Sequence, residues 1–260
     1  MVRLCFEFRS LTHTVMKRPT VTHTLYGTGI FDGHSGNRAS KYVASFLFTA
    51  LKDRLEPYLA QDPDTASETW TEEVSDRVQR SFLDVHNKFL DAIALIPQSR
   101  NDQSGTTATV AYVTNKYLII ASLGDSRAVL STKKSGKYAA LQLTRDHVAS
   151  DPMERAAVEH RGGTVKTING IDRVNGTLVV SRSLGDALLS SVLSQTPEVI
   201  PYTRAAILEL CGDLKEDENI PCFLILASDG LWDTVSNQEA VRKPGKLFGY
   251  TFPSLIFLFS

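Results

Sequence analysis

Ile30-Phe31-Asp32-Gly33-His34-Ser35-Gly36 is the stretch that decides how the rest of the chain reads. A short apolar run, Leu25 to Phe31, ends abruptly in an aspartate, a glycine and a histidine, and a helical pattern then begins. A strand that feeds a carboxylate into a glycine turn can hold a divalent cation at a sheet edge, and oxygen ligands suit hard cations such as magnesium and manganese. Gly33 lets the backbone turn tightly and bring a carbonyl close to an ion. His34 stands beside that position, where a proton donor is useful. Asp-Gly is also a common turn dipeptide, so the stretch gains its weight from recurrence downstream.

The recurrence is plain. Tyr117 to Leu123 reads as a buried strand and ends in Gly124-Asp125-Ser126-Arg127. Pro221 to Ala227, the most apolar strand candidate, ends in Ser228-Asp229-Gly230-Leu231-Trp232-Asp233. If these strands share one sheet edge, Asp32, Asp125, Asp229 and Asp233 converge. Packed carboxylates repel one another, and a bound cation is the natural compensation. A two-metal carboxylate site suits hydrolysis of a phosphate ester: it acidifies a water, stabilises phosphoryl charge and needs no protein nucleophile.

Between the junctions the pattern is helical, then extended. Ala39, Tyr42, Val43, Phe46, Leu47, Ala50, Leu51 and Leu55 predict one helix face, and Val74, Val78, Phe82, Val85, Phe89 and Ile93 a second, with Thr69 to Glu72 at capping-box spacing. Thr107 to Val113 and Tyr117 to Leu123 form a hairpin about Asn115-Lys116. Ser150-Asp151-Pro152 starts a helix that Arg161-Gly162-Gly163 stops. Asn169-Gly170 reads as a tight hairpin turn. Three units follow: a poorly ordered segment over 1–24, a domain over 25–241, and a divergent apolar tail over 242–260.

Composition sets the outer bounds. The 260 residues are 42% hydrophobic and 22% charged, enough for one sizeable core. A net charge of −1 gives no electrostatic case for nucleic acid or an anionic membrane. No segment is long and apolar enough to span a bilayer. Cys5, Cys211 and Cys222 are odd in number and lack CxxC spacing, which favours free thiols in a reducing intracellular compartment, cytoplasm or nucleus, with an organelle left open.

The motifs FDGHSG (31–36), SGTTA (104–108), GDSRAVL (124–130), Asp146-His147, RVNGTLVVSRSLGD (173–186) and LASDGLWDTVSNQEAV (226–241) occur in an order that resembles the metal-dependent type-2C protein serine/threonine phosphatases. The resemblance implies an α/β sandwich of two packed antiparallel sheets flanked by helices. It implies two Mn2+ or Mg2+ ions, with a third bound more weakly, and hydrolysis of phosphoserine and phosphothreonine in proteins by a metal-activated water. Asp32 matches the bridging carboxylate, Gly33 the carbonyl ligand and Asp229 a further ligand. Asp125 and Asp233, with Asp229, match the third-metal site. His34 matches the general acid. Asp186 and Arg182 read as mainly structural, Asp146 and His147 as a turn, and His86 as an ordinary helix residue. The chain is expected to act as a monomer on phosphoprotein substrates. It departs from the family at both ends: neither the N-terminal arginine and Glu-Asp pair nor the late Asp-Asn pair is recognisable, and terminal strands are expected to be missing. A catalytically inactive phosphatase-like binding module is therefore the alternative, and a non-folding isoform a third.

Overall fold

The computed structural model describes residues 3–8, 26–67, 69–96, 102–134, 137–211, 222–242 and 254–259. In chain order, β1 (Arg3–Phe8) and β2 (Tyr26–His34) precede two long helices, α1 (Arg38–Leu59) and α2 (Trp70–Ala94). The strands β3 (Gly105–Thr106), β4 (Ala108–Val113), β5 (Tyr117–Leu123), β6 (Arg127–Lys134) and β7 (Lys137–Gln142) follow. Next come α3 (Pro152–His160), β8 (Val165–Ile168), β9 (Ile171–Val174), β10 (Leu184–Gly185), β11 (Glu198–Thr203) and α4 (Arg204–Cys211). The last elements are β12 (Cys222–Ala227), α5 (Asp229–Trp232), α6 (Asn237–Arg242) and β13 (Ser254–Phe259).

One sheet has the order β10-β3-β2-β4-β5-β11, with β1 also paired to β2; a second has the order β13-β12-β6-β7. Strand β5 shows how they stack. Leu118 and Ile120 pack with Ala128, Leu130, Leu224 and Leu226 of the second sheet, while Ile119, Ala121 and Leu123 join Val43, Leu47, Val78 and Phe82 of α1 and α2. On the far side of the second sheet, Phe223, Ile225 and Ala227 meet Leu231, Val235 and Val241 of the α5–α6 segment. The result is helices, sheet, sheet, helices. Alternate side chains of β5 and β12 go to opposite faces and both faces are covered, which is why these strands read as unbroken apolar runs. Among the described residues no helix is long and apolar enough to cross a membrane.

Several local expectations shift. The buried stripe of α1 runs through Val43, Leu47, Leu51 and Leu55, so Phe46 lies at its edge and is 50% exposed against the Tyr42 ring. The Thr69 capping box does not form. Thr69 already has helical backbone angles, and its hydroxyl donates instead to Glu73 at 3.2 Å. Arg3–Phe8, which shows no period, pairs antiparallel along β2, and Ser254–Phe259 of the apolar tail pairs antiparallel along β12. Both ends of the chain therefore contribute strands. Cys211, 1% exposed, is disulfide-bonded, which differs from the free-thiol expectation at that position.

The start of α3 is built as expected. Asp151 Oδ1 accepts the backbone N–H groups of Met153 at 2.9 Å and Glu154 at 3.0 Å. Asp151→Ala removes both bonds and is expected to lower the unfolding free energy in urea by about 1 kcal/mol.

Helix α3 also carries a buried charge. Glu154, 2% exposed, accepts from Ser181 Oγ at 2.6 Å and Arg182 Nε at 2.9 Å, with Arg145 at 3.4 Å. Burial pushes the carboxyl up, but the Arg182 and Ser181 hydrogen bonds and the Arg182 charge pull it down further, to about 2 from 4.5. The folded value lies below the unfolded one. The stabilisation is thus complete above the unfolded pKa and disappears as pH falls through the folded one. Urea unfolding between about pH 5 and about pH 2 is expected to reveal a loss of roughly 3 kcal/mol, and Glu154→Gln to flatten that slope.

Candidate metal centre

Strand β2 passes through the core at Ile30 and Phe31 and then presents Asp32, 5% exposed. The Asp32 backbone is gripped on both sides: its N–H donates to Thr107 Oγ1 at 3.2 Å, and its carbonyl accepts the Thr107 N–H at 3.0 Å. Gly33 pairs with Thr106 on β3. A Cβ there would stand 2.6 Å from Ser40 Oγ, so the glycine is what lets β2 and the start of α1 approach.

His34 is 19% exposed, and its Nε2 lies 2.9 Å and 2.8 Å from the two Asp186 oxygens. Asp186 has φ 47°, donates its own N–H to the Ser104 carbonyl at 2.9 Å and accepts from Ser183 Oγ. The preceding Gly185 has φ 88° and donates its N–H to Nδ1 of the buried His86 at 3.2 Å. Two consecutive residues in the left-handed region are costly for all but glycine, and here His86 and Ser104 hold them in place. A Cβ on Gly105 would lie 2.0 Å from Asp186 Oδ2 and 2.3 Å from His34 Nε2, so this pairing requires that glycine.

Asp125 occupies the turn between β5 and β6. Its carboxyl is pushed up to about 7 from 3.8, first by burial, then by the Asp229 charge, with smaller contributions from Asp32 and Asp146 opposing its own backbone hydrogen bond. Of the four expected carboxylates, Asp229 and Asp32 thus both act on Asp125. Asp233 stands one helical turn beyond Asp229, exposed, with its N–H on the Asp229 carbonyl at 2.7 Å. Among the described residues, no three His, Cys, Asp or Glu side chains are placed to hold one ion as they stand.

The donor set still fits a hard divalent cation. Magnesium-sized ions keep several waters and take only one or two carboxylates each, and Asp125 shows the excess of negative charge that a cation would relieve.

Sequence reading missed the residues behind these donors. Asp186, read as structural, touches His34 across 152 positions of sequence. His86 is a buried support rather than an ordinary helix residue. His147, fully buried, accepts the Gly124 N–H on Nδ1 at 3.3 Å, and burial holds its pKa low. Asp146 forms a two-pronged pair with Arg127, at 3.0 Å and 2.6 Å, and Arg127 also donates to Asn237 of α6 at 2.8 Å. The only signals in the sequence were a buried histidine on an apolar helix face and polar residues adjoining glycines.

Known proteins share this arrangement of sheets. The chain superimposes on the crystal structure of serine-threonine phosphatase 2C from Toxoplasma gondii with a TM-score of 0.70 at 19% identity, covering 95% of this chain and 84% of that one. It matches a C. elegans sex determining protein with a TM-score of 0.64 at 22% identity, covering 96% and 57%. In sequence it is 36% identical over 216 residues to Protein phosphatase 1L of Bos taurus, covering 82% of this chain and 53% of that protein. Probable protein phosphatase 2C 69 of Arabidopsis thaliana is 36% identical over 213 residues, covering 82% and 50%. The chain spans about half the length of these curated relatives. The sequence model of Protein phosphatase 2C matches residues 16–242, a span that holds every strand-to-aspartate junction described above. By that match, and with the fold in agreement, the chain belongs to the protein phosphatase 2C family.

Proposed function

We propose that the chain hydrolyses phosphoserine and phosphothreonine in proteins, acting as a monomer and dependent on Mn2+ or Mg2+. The observation that supports this best is the family-model match over residues 16–242, which spans Asp32, Asp125 and Asp229; the Asp229 and Asp32 charges also crowd the Asp125 carboxyl and raise it. Carboxylates crowded in this way favour a cation among them. Asp32, Asp229 and the Gly33 carbonyl are the groups to hold two ions, and Asp125 and Asp233 join Asp229 at a weaker third. When bound, such ions supply Lewis acidity toward phosphoryl oxygens and make water more acidic.

The remaining chemistry belongs to the chain. His34 donates a proton to the departing serine or threonine oxygen, which would otherwise leave as a poorly stabilised alkoxide. Its Nε2 is engaged by Asp186, so Nδ1 is the nitrogen left for that transfer. Buried Asp186 fixes the ring, as a carboxylate orients a catalytic imidazole elsewhere.

The test is turnover of a phosphothreonine peptide by the purified chain. Hydrolysis with Mn2+, abolished by chelator, is expected. A folded chain that binds the peptide without turnover would replace the enzyme by a phosphoprotein-binding module.

A further inference from the structure

We infer that the Thr107 hydroxyl is a positioning group that fixes Asp32 relative to Asp125 and thereby sets the affinity of the site for its cations, a role that rests on the metal-binding reading of both carboxylates. Thr107 lies between β3 and β4 and is 3% exposed. Its N–H and Oγ1 take both backbone groups of Asp32, at 3.0 Å and 3.2 Å. The same Oγ1 meets Ser126 Oγ at 2.8 Å, and Ser126, fully buried, directly follows Asp125. On the other side of Asp125, Gly124 has φ 103°, and a Cβ there would stand 2.6 Å from Thr107 Cγ2 and 2.8 Å from its Cβ. One side chain therefore touches the residues before and after Asp125 while holding the backbone of Asp32.

The contacts behind it are equally fixed. The Ser126 carbonyl accepts from Thr109 Oγ1 at 2.8 Å, and Thr109 Oγ1 also meets Ser122 Oγ at 2.8 Å. The carbonyl side of Asp32 is held twice, since Thr106 Oγ1 also donates to it at 3.2 Å. Its N–H, in contrast, is bonded to Thr107 Oγ1. Removing that hydroxyl loosens the N–H side of Asp32 and uncouples it from Ser126 in one step. Groups that orient ligands in this way typically contribute about 10–100-fold to metal affinity.

The experiment is calorimetric titration of Mn2+ into the metal-free chain, with thermal unfolding recorded in parallel. Thr107→Val keeps the shape and loses the hydroxyl; Thr107→Ser keeps the hydroxyl and loses the methyl. Thr107→Val is expected to bind Mn2+ at least about tenfold more weakly, and Thr107→Ser to stay close to wild type. If wild type binds and Thr107→Val binds equally well, the positioning role is overturned and the metal site stands. Equal weakening in both variants assigns the effect to packing and also overturns it. A wild-type chain that takes no Mn2+ overturns the metal-binding reading itself and this role with it. Should Thr107→Val not fold, Ser126→Ala reads the same link: several-fold weaker Mn2+ binding supports the role, and unchanged binding overturns it.

Discussion

Asp229→Asn is expected to reduce Mn2+-dependent hydrolysis of a phosphothreonine peptide by on the order of a thousandfold or more, since lost transition-state charge stabilisation is worth several kcal/mol and each 1.4 kcal/mol is tenfold. The substitution keeps size and shape but removes a charge, and a neutral amide oxygen binds a hard cation more weakly than a carboxylate does. The fold should survive it. Asp229 opens the short α5, which is anchored by the buried Leu231 and by Trp232 Nε1 donating to the Ala227 carbonyl at 2.9 Å, neither of which involves the Asp229 carboxylate. A second readout needs no metal. Asp229 is the foremost neighbouring charge behind the raised Asp125 carboxyl, so in Asp229→Asn that carboxyl should titrate below about 7, back toward 3.8, by carbon NMR. The sign for stability follows. A carboxyl raised on folding stabilises fully below its unfolded pKa, and that contribution is lost as pH rises through the folded one. The metal-free chain should therefore weaken between 3.8 and about 7, and the variant should weaken less. Full Mn2+-dependent turnover by Asp229→Asn would remove Asp229 from the proposed ligands.

What could be read from the sequence follows the range of the interaction that produces it. Turns and caps are local. Asp151 before Pro152 caps α3, and Asn169 and Gly170 take left-handed φ of 53° and 80° between β8 and β9, as their residue types require. The strand-to-aspartate junctions are also local, because an apolar run that stops at Asp-Gly marks both a strand end and a carboxylate. Pairings across the chain are not local. Nothing near His34 or Asp186 announces the other, and their contact depends on β3 lying between β2 and β10. The capping box failed for a related reason: spacing is necessary, but Thr69 was already helical and its hydroxyl could not turn back. The ends were illegible because an edge strand such as β1 or β13 is selected by the open edge of its partner, not by any period of its own. Pro201 in the edge strand β11 shows the same tolerance, since an edge position spares a missing donor.

His34→Ala is expected to lower kcat on a phosphothreonine peptide by about 10²- to 10⁴-fold, the usual range for a positioned proton donor, with KM little changed. The discriminating comparison is p-nitrophenyl phosphate, whose leaving group departs as a stabilised phenolate and needs no proton. On that substrate the same variant should lose far less activity. The geometry makes a further demand, because His34 Nε2 rests on both oxygens of Asp186. Asp186→Asn can present only one acceptor oxygen, and its amide nitrogen opposes the ring N–H. It should therefore share the substrate-dependent pattern at smaller amplitude. Glycine at 105 is part of the same device, since any Cβ there would collide with both partners. Equal losses on the two substrates would mean that His34 supports the fold of the site rather than the departure of the alkoxide, and the proton would then have to come from water.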